Sequence, residues 1–509
     1  MLKKPLPDPM HIKNTIVIIL LLASSLATWA TQDRPNIIYI LADDLGYGDV
    51  QSLNPERGKI ATPYMDRLRS EGMAFTDCHS NSSVCTPTRY GILTGRYAWR
   101  KKAKGVLSGM SAPMIAQKRL TVAELLQQNG YTTAAIGKWH LGMKFNSKDY
   151  TQPVTDGPLQ HGFDYYFGIS ASLDMPPYAY IENDRFTQVP SERKSFPSFS
   201  YGKVKTKGPA RMGPSAPDFD AVNVLPDLAE KTVEYIGQRA AEEKPFFIYL
   251  ALPSPHTPVV PSKEWQGKSG MGAYGDFVMQ TDWAVGEVMK AVDANGLAEN
   301  TMIIVTSDNG CAPYVGVKEM EAIGHYPSAY LRGYKTQIWE GGHRVPFIVR
   351  WPAKVKAGSE SAQLTCLTDL MATCAEMLGA ELPDTEAEDS VSILPAILGT
   401  DTAPLREAVV HHSFKGAFAI RQGDWKLALC SGSGGSGIDE NGDKSSPQLY
   451  NLKQDLGETN NLAQSNPEVV ERLTKLLQQY AATGRSTPGA KQPNDISVKV
   501  GVKAGKGNK

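Results

Sequence analysis

Four apolar, β-rich runs spread along the chain each end in a short polar package, and this repetition constrains the fold more than any other feature. Asn36-Ile-Ile-Tyr-Ile-Leu41 is bounded by Pro35 and runs into Ala42-Asp43-Asp44, so it reads as a buried strand that delivers two carboxylates at its C-terminal end. Thr132 to Ile136 delivers Gly137-Lys138-Trp139-His140, Pro245 to Leu252 delivers Pro253-Ser254-Pro255-His256, and Met302 to Thr306 delivers Ser307-Asp308-Asn309. Helical patterns at Met65 to Gly72, Val122 to Asn129 and Asp276 to Ala294 alternate with these runs. Strands alternating with helices specify an α/β fold with a mostly parallel central sheet flanked by helices. Ligands of such sheets sit beyond the carboxyl ends of the strands, so all four packages are expected to converge on one edge.

A chain of 509 residues exceeds the size at which one core keeps growing, and two domains are expected. Lys plus Arg and Asp plus Glu balance at 53 each, which removes any global electrostatic case for nucleic acid or an anionic membrane. An anionic substrate therefore needs a local positive site. At the N-terminus Lys3, Lys4 and Lys13 precede the apolar run Ile16 to Ala27, and Thr28-Trp29-Ala30 offers small residues for cleavage. This reads as an export signal over residues 1–30, with an uncleaved anchor or a lipoprotein as the weaker readings, and predicts a periplasmic or secreted protein without stable membrane association after cleavage. Six cysteines do not make a disulfide scaffold in so long a chain. Cys366 and Cys374, in the apolar-periodic segment Gln363 to Gly379, are expected to be core thiols, and Leu364 to Leu378 is expected to be helical and to pack on the sheet.

Asp43, Asp44, Asp308 and Asn309 are all oxygen donors, the ligand set of a hard divalent cation, and no Cys/His spacing suggests structural zinc. Paired Asp residues after a strand also serve as turn and cap residues, but two such pairs at equivalent strand ends favour the metal. Arg89, Lys138, His140 and His256 supply positive charge and proton transfer around an anion. The stretch Asn81-Ser-Ser-Val-Cys-Thr-Pro-Thr-Arg-Tyr-Gly-Ile-Leu-Thr-Gly-Arg-Tyr97 places Cys85 just before a proline and an apolar helical run. A helix N-terminus there would favour an oxyanion.

The spacing Cys85-x-Pro87-x-Arg89 followed by Tyr90-Gly-Ile-Leu-Thr-Gly-Arg96 resembles the signature of the type I sulfatases, members of the alkaline phosphatase superfamily. Thr88 departs from the usual serine or alanine, which bears on maturation more than on family. Pro35 to Asp49 looks like the family's opening metal motif, Gly137-Lys-Trp-His-Leu-Gly142 like its lysine and histidine motif, and Leu331 to Pro346 like the segment that places a sulfate-contacting lysine, here Lys335. The resemblance implies an alkaline-phosphatase-like sheet and one Ca²⁺ held by Asp43, Asp44, Asp308 and Asn309. It further implies that Cys85 is converted to formylglycine by a formylglycine-generating enzyme, with Arg89, Lys138, His140, His256 and Lys335 around the sulfate. One hydroxyl of the hydrated aldehyde would attack sulfur while His256 protonates the departing alcohol; the second, deprotonated by His140, would then expel sulfate. The implied substrate is a sulfated sugar or polysaccharide. Phosphonate and phosphate monoester hydrolases share part of this framework, and an unoxidised Cys85 would leave a calcium-dependent carbohydrate-binding protein.

The catalytic domain is expected over residues 31–400. Alternation at Ala417 to Arg421 and Trp425 to Leu429 reads as a β-hairpin, and Pro467 to Tyr480 as an amphipathic helix, giving a smaller α+β subdomain with an antiparallel sheet over 401–484. The lysine-rich stretch 485–509 is expected to be a disordered tail. Gly168 to Asp184 lacks core periodicity and carries carboxylate and aromatic groups suited to a sugar ring, so Asp174 and Tyr178 are the expected substrate contacts.

Overall fold

The computed structural model describes residues 34–101, 105–146, 149–436 and 445–501; the expected export signal lies outside the described residues. Among these, no helix is long and apolar enough to cross a membrane. The central sheet contains β1 (Asn36–Asp43), β2 (Met73–Phe75), β3 (Thr132–Lys138), β4 (Tyr165–Ile169), β5 (Ile181–Glu182), β6 (Arg185–Phe186), β7 (Phe246–Pro255), β8 (Thr301–Ser307), β9 (Phe347–Arg350) and β10 (Ser359–Ser361). Their order is β10-β2-β9-β8-β1-β7-β3-β4-β5-β6. The run β8-β1-β7-β3-β4 is parallel throughout, and antiparallel pairing is confined to the margins.

The helices include α1 (Pro63–Ser70), α2 (Cys85–Thr94), α3 (Val122–Gln128), α4 (Val224–Ala240), α5 (Gly272–Ala294), α6 (Glu340–His343), α7 (Leu370–Leu378) and α8 (Pro467–Thr483). Ile38, Ile40 and Ala42 of β1 face a core shared with α1, α4 and α5, while Ile37, Tyr39 and Leu41 face one shared with α2, α3 and α7. Both faces are covered, which is why β1 reads as a continuous apolar run and not as an alternating one. Each fully buried Ile, Leu or Val contributes about 1.5–3 kcal/mol here. In register, Ala42 lies opposite Ser307, Asp43 opposite Pro255, and Ala251 opposite Gly137. The polar packages therefore leave the sheet at one edge, as expected. Gly137 adopts φ 111°, and a Cβ there would meet the Ala251 carbonyl oxygen at 2.0 Å, so only glycine admits Lys138 to that edge.

A second sheet is antiparallel: β11 (Val409–His412), β12 (Phe418–Gln422), β13 (Trp425–Ala428) and β14 (Gln448–Asn451). The expected hairpin is β12–β13, paired from Gln422–Trp425 to Ala419–Ala428. Leu473, Leu477 and Tyr480 of α8 pack on Val409, Leu427 and Leu449, and Tyr97 and Trp99, which follow α2, join the same cluster.

Two expectations are corrected. The segment Leu364 to Leu378 is not one helix: Thr365–Cys366 forms a short strand with Cys78–His79, and Leu367–Asp369 a 3₁₀ turn before α7. The Asp369 carboxylate accepts from the Cys366 N–H at 2.8 Å and holds Arg406 at 2.8 and 2.9 Å, which ends the extended stretch. Cys366 and Cys374 are buried free thiols, as expected. The stretch after residue 484, read as a disordered tail, is packed through residue 495: Arg485 binds Asp384 at 3.0 Å, and Asp495 binds Arg96 at 2.9 Å. Ion pairs and backbone bonds anchor most of it, and Val498 and Val500 pack against the cluster under α8.

Between the two sheets His79, His343 and His411 are fully buried, with His343 and His411 stacked at 3.8 Å. Lys426 lies 3.1 Å from His343 and 3.0 Å from Glu340. Burial, then His343, His79 and Lys426, hold His411 well below the ordinary imidazole range, and neither of its ring nitrogens has a hydrogen-bond partner. Neutral in the fold, His411 is protonated near pH 6.5 in the unfolded chain, so its contribution to stability falls as pH drops below that value. Asp282 and Glu458, both pushed up to about 7 by burial, act in the opposite direction, so the effect is isolated by comparison with a variant. His411→Phe is expected to gain on wild type by about 1.4 kcal/mol per pH unit between pH 6.5 and 5 in urea unfolding. A pH-independent difference would contradict the neutral state.

Candidate active site

A strand ordinarily sends successive side chains to opposite faces. At the end of β1 the register shifts between Leu41 and Asp43, and Asp44 takes φ 66°, so both carboxylates reach one buried site. The Asp44 N–H donates to Asp308 Oδ1 at 3.2 Å, and Asn309 Nδ2 donates to Asp44 Oδ1 at 2.7 Å. Arg89, one turn into α2, donates through Nε and Nη2 to Asp308 Oδ2 at 3.1 and 2.7 Å and stands 3.7 Å from Asp43. Lys138 Nζ lies 2.6 Å from Asp43 Oδ2, and Lys335 Nζ 2.6 Å from Asp44 Oδ1. The Lys335 N–H is fixed by the Cys311 carbonyl at 2.9 Å, which gives Cys311 a positioning role.

These charges set the carboxylates apart. Against the opposing effect of burial, Lys138, His256 and Arg89 hold Asp43 well below the usual carboxylate range, whereas burial and the Asp43 charge push Asp308 up to about 6. Asp43 Oδ1 and Asn309 Oδ1 are buried without any hydrogen-bond partner. Two orphaned oxygens beside the Asp44 and Asp308 carboxylates are the donor set of a hard divalent cation, so the residues fit such an ion. Asp43, Asp44 and His256 also bring ligand atoms within 4.8 Å of one another. His256 also lines the cavity, whereas the orphaned atoms are oxygens.

Cys85 is the first residue of α2 and is buried. Burial pushes its thiol up, with Lys138 and Lys335 opposing, so the encoded side chain is protonated at neutral pH and is a poor nucleophile. Thr88 donates to the Ser82 and Val84 carbonyls at 3.0 and 3.1 Å, a bond that any hydroxyl residue there supplies. His140, at φ 58°, places Nε2 2.8 Å from the Leu107 carbonyl. A carbonyl only accepts, so Nε2 carries the proton, and the buried, unpartnered Nδ1 is left as a base. Burial and the neighbouring Lys138 hold this imidazole well below its ordinary range. His256 Nε2 lies 3.7 Å from Asp44, and its Nδ1 2.5 Å from the Thr257 carbonyl.

Cys85, His256 and Lys335 open onto a cavity of about 840 Å³, which Asp174, Arg211, Tyr314 and Phe414 also line. Of the two expected substrate contacts only Asp174 is there. Tyr178 is buried, its hydroxyl donating to the Asp174 and Arg211 carbonyls at 3.1 and 2.6 Å and its ring packed on Phe196 and Phe219. It holds the loop and does not touch the cavity. Sequence reasoning missed Ser172, whose hydroxyl lies 3.2 Å from both Lys138 Nζ and His256 Nδ1, and Arg211, which pairs with Asp174. Neither sits in a motif; only packing brings them in.

The sulfatase family model matches residues 35–380, and that for the C-terminal part of N-sulphoglucosamine sulphohydrolase matches 334–483. The chain is 35% identical to an N-acetylgalactosamine-6-O-sulfatase of Bacteroides thetaiotaomicron, over 87% of this chain and 93% of that protein. It is 32% identical to human arylsulfatase A, over 90% and 89%. A solved structure from work on the metabolism of multiple glycosaminoglycans by Bacteroides thetaiotaomicron superposes with a TM-score of 0.78 at 33% identity, covering 88% of this chain and 99% of that one.

Proposed function

Because the chain belongs to the sulfatase family, we propose that it is an exported enzyme that removes sulfate from a sulfated saccharide, with a 6-sulfated amino sugar the class its relatives point to. The observation that carries this reading is the charge balance around Cys85. Asp43, Asp44 and Asp308 face Arg89, Lys138 and Lys335 in a buried site at the floor of the cavity. Adding a divalent cation leaves two surplus positive charges, matching an anionic sulfate ester plus a deprotonated attacking oxygen. Ca²⁺ suits an all-oxygen set of carboxylate and amide donors, Asp43, Asp44, Asp308 and Asn309, and when bound would polarise the sulfate oxygens.

Position 85 would act as formylglycine, made from Cys85 by a formylglycine-generating enzyme; its hydrate offers one hydroxyl to attack sulfur and a second to release the sulfate. The remaining residues divide the work. Arg89 fixes Asp308 beside the attacking oxygen, and Lys138 and Lys335 neutralise charge on the sulfate. His140 accepts a proton at Nδ1, its bare nitrogen. His256, on the cavity wall, gives one to the departing alcohol.

The test is sulfate release from 6-sulfated amino sugars beside the matching phosphate and phosphonate monoesters. Faster hydrolysis of the phosphorus esters would overturn the assignment. His256→Ala is expected to cost sugar sulfates about 10²-fold or more in kcat/KM while costing an activated aryl sulfate little, because only the sugar alcohol needs a proton to leave. Equal losses on both would reject the acid role.

A further inference from the structure

We propose that Phe414, from the C-terminal subdomain, is a specificity-determining residue that stacks on the C–H face of the sugar ring bearing the sulfate; this rests on the saccharide reading above. Phe414 lines the cavity that Cys85 and Lys335 open onto, yet 39% of it is exposed. A half-exposed ring on the cavity wall offers an apolar face to whatever fills the cavity.

Its place is fixed from two sides. His412, two residues earlier, pairs with Ser82 and accepts from the Ser83 N–H at 3.1 Å, just ahead of Cys85. The Phe414 N–H donates to the Thr336 carbonyl at 3.0 Å, beside Lys335. The ring is thus anchored between the segment that carries the nucleophile position and the one that carries a sulfate lysine.

A pyranose presents an apolar C–H face and an edge of hydroxyls. Asp174 supplies the complement on the same cavity: its side chain is 2% exposed, and Oδ1, 4.0 Å from His256 Nδ1, has no hydrogen-bond partner. That oxygen accepts from a ring hydroxyl while Arg211 holds the other oxygen. The cavity volume is ample for a ring at the sulfate and more chain beyond it. The second domain therefore completes substrate recognition.

The experiment compares wild type, Phe414→Ala and Phe414→Trp for KM on a 6-sulfated amino sugar and for inhibition by inorganic sulfate, which has no ring. Phe414→Ala is expected to raise KM about tenfold or more while the sulfate inhibition constant stays unchanged, and Phe414→Trp to restore KM. An unchanged KM in Phe414→Ala, or a parallel loss of sulfate inhibition, would overturn the inference with the saccharide reading intact. A wild type that hydrolyses only non-sugar esters would overturn both.

Discussion

Cys85→Ala is expected to retain the fold and lose turnover to background, about 10⁴-fold or more in kcat. The substitution removes one sulfur atom from the start of α2 and leaves Arg89, Lys138 and Lys335 with their carboxylate partners. Its cost in stability is about 1–2 kcal/mol. An alanine at 85 offers no oxygen to attack sulfur, and no neighbouring group substitutes for it. Cys85→Ser falls equally far in a host that oxidises only cysteine. A single hydroxyl has no partner to expel the sulfate it has taken up, so one turnover would trap the protein. Near wild-type sulfate release by Cys85→Ala would remove position 85 from the chemistry.

Stripping the cation is expected to have an effect nearly as large, about 10³-fold or more in kcat/KM, reversed by Ca²⁺. The chain should stay folded, because three buried carboxylates still face three buried cations. The melting temperature should nonetheless fall on chelation and rise again with Ca²⁺ concentration, since only the folded chain assembles the oxygens of Asp43, Asp44, Asp308 and Asn309. Asp43→Ala is expected to abolish that Ca²⁺ response along with activity. Stoichiometric zinc in a fully active preparation would contradict the assignment of calcium.

The parallel core strands were legible because their runs are continuously apolar and each stops at a cluster of polar residues. Since a parallel sheet gathers such clusters at one edge, Asp43, Lys138, His256 and Asp308 could be brought together without coordinates. The single-residue geometry was not legible. Nothing in Leu41-Ala42-Asp43-Asp44 announces the shifted register that turns two adjacent carboxylates the same way. The loops were harder still. Tyr178 and Asp174 look alike as candidate sugar contacts, but the tyrosine hydroxyl is consumed by two carbonyls of its own loop region while the carboxylate keeps one oxygen without a hydrogen bond. Arg211 and Phe414 lie in stretches without periodicity or motif, and their roles follow from pairing across the fold. Likewise the stretch around Asp495 reads as disordered until its partner, Arg96, is known.

The central claim for this protein is the chemistry at position 85. The direct measurement is the mass of the peptide spanning Cys85, taken from a preparation whose sulfate release has been quantified. The expected result is a species lighter than the encoded peptide by the difference between –CH₂SH and –CHO, in a fraction that rises in proportion to specific activity across preparations. A fully active preparation in which every such peptide carries the unmodified thiol would contradict it.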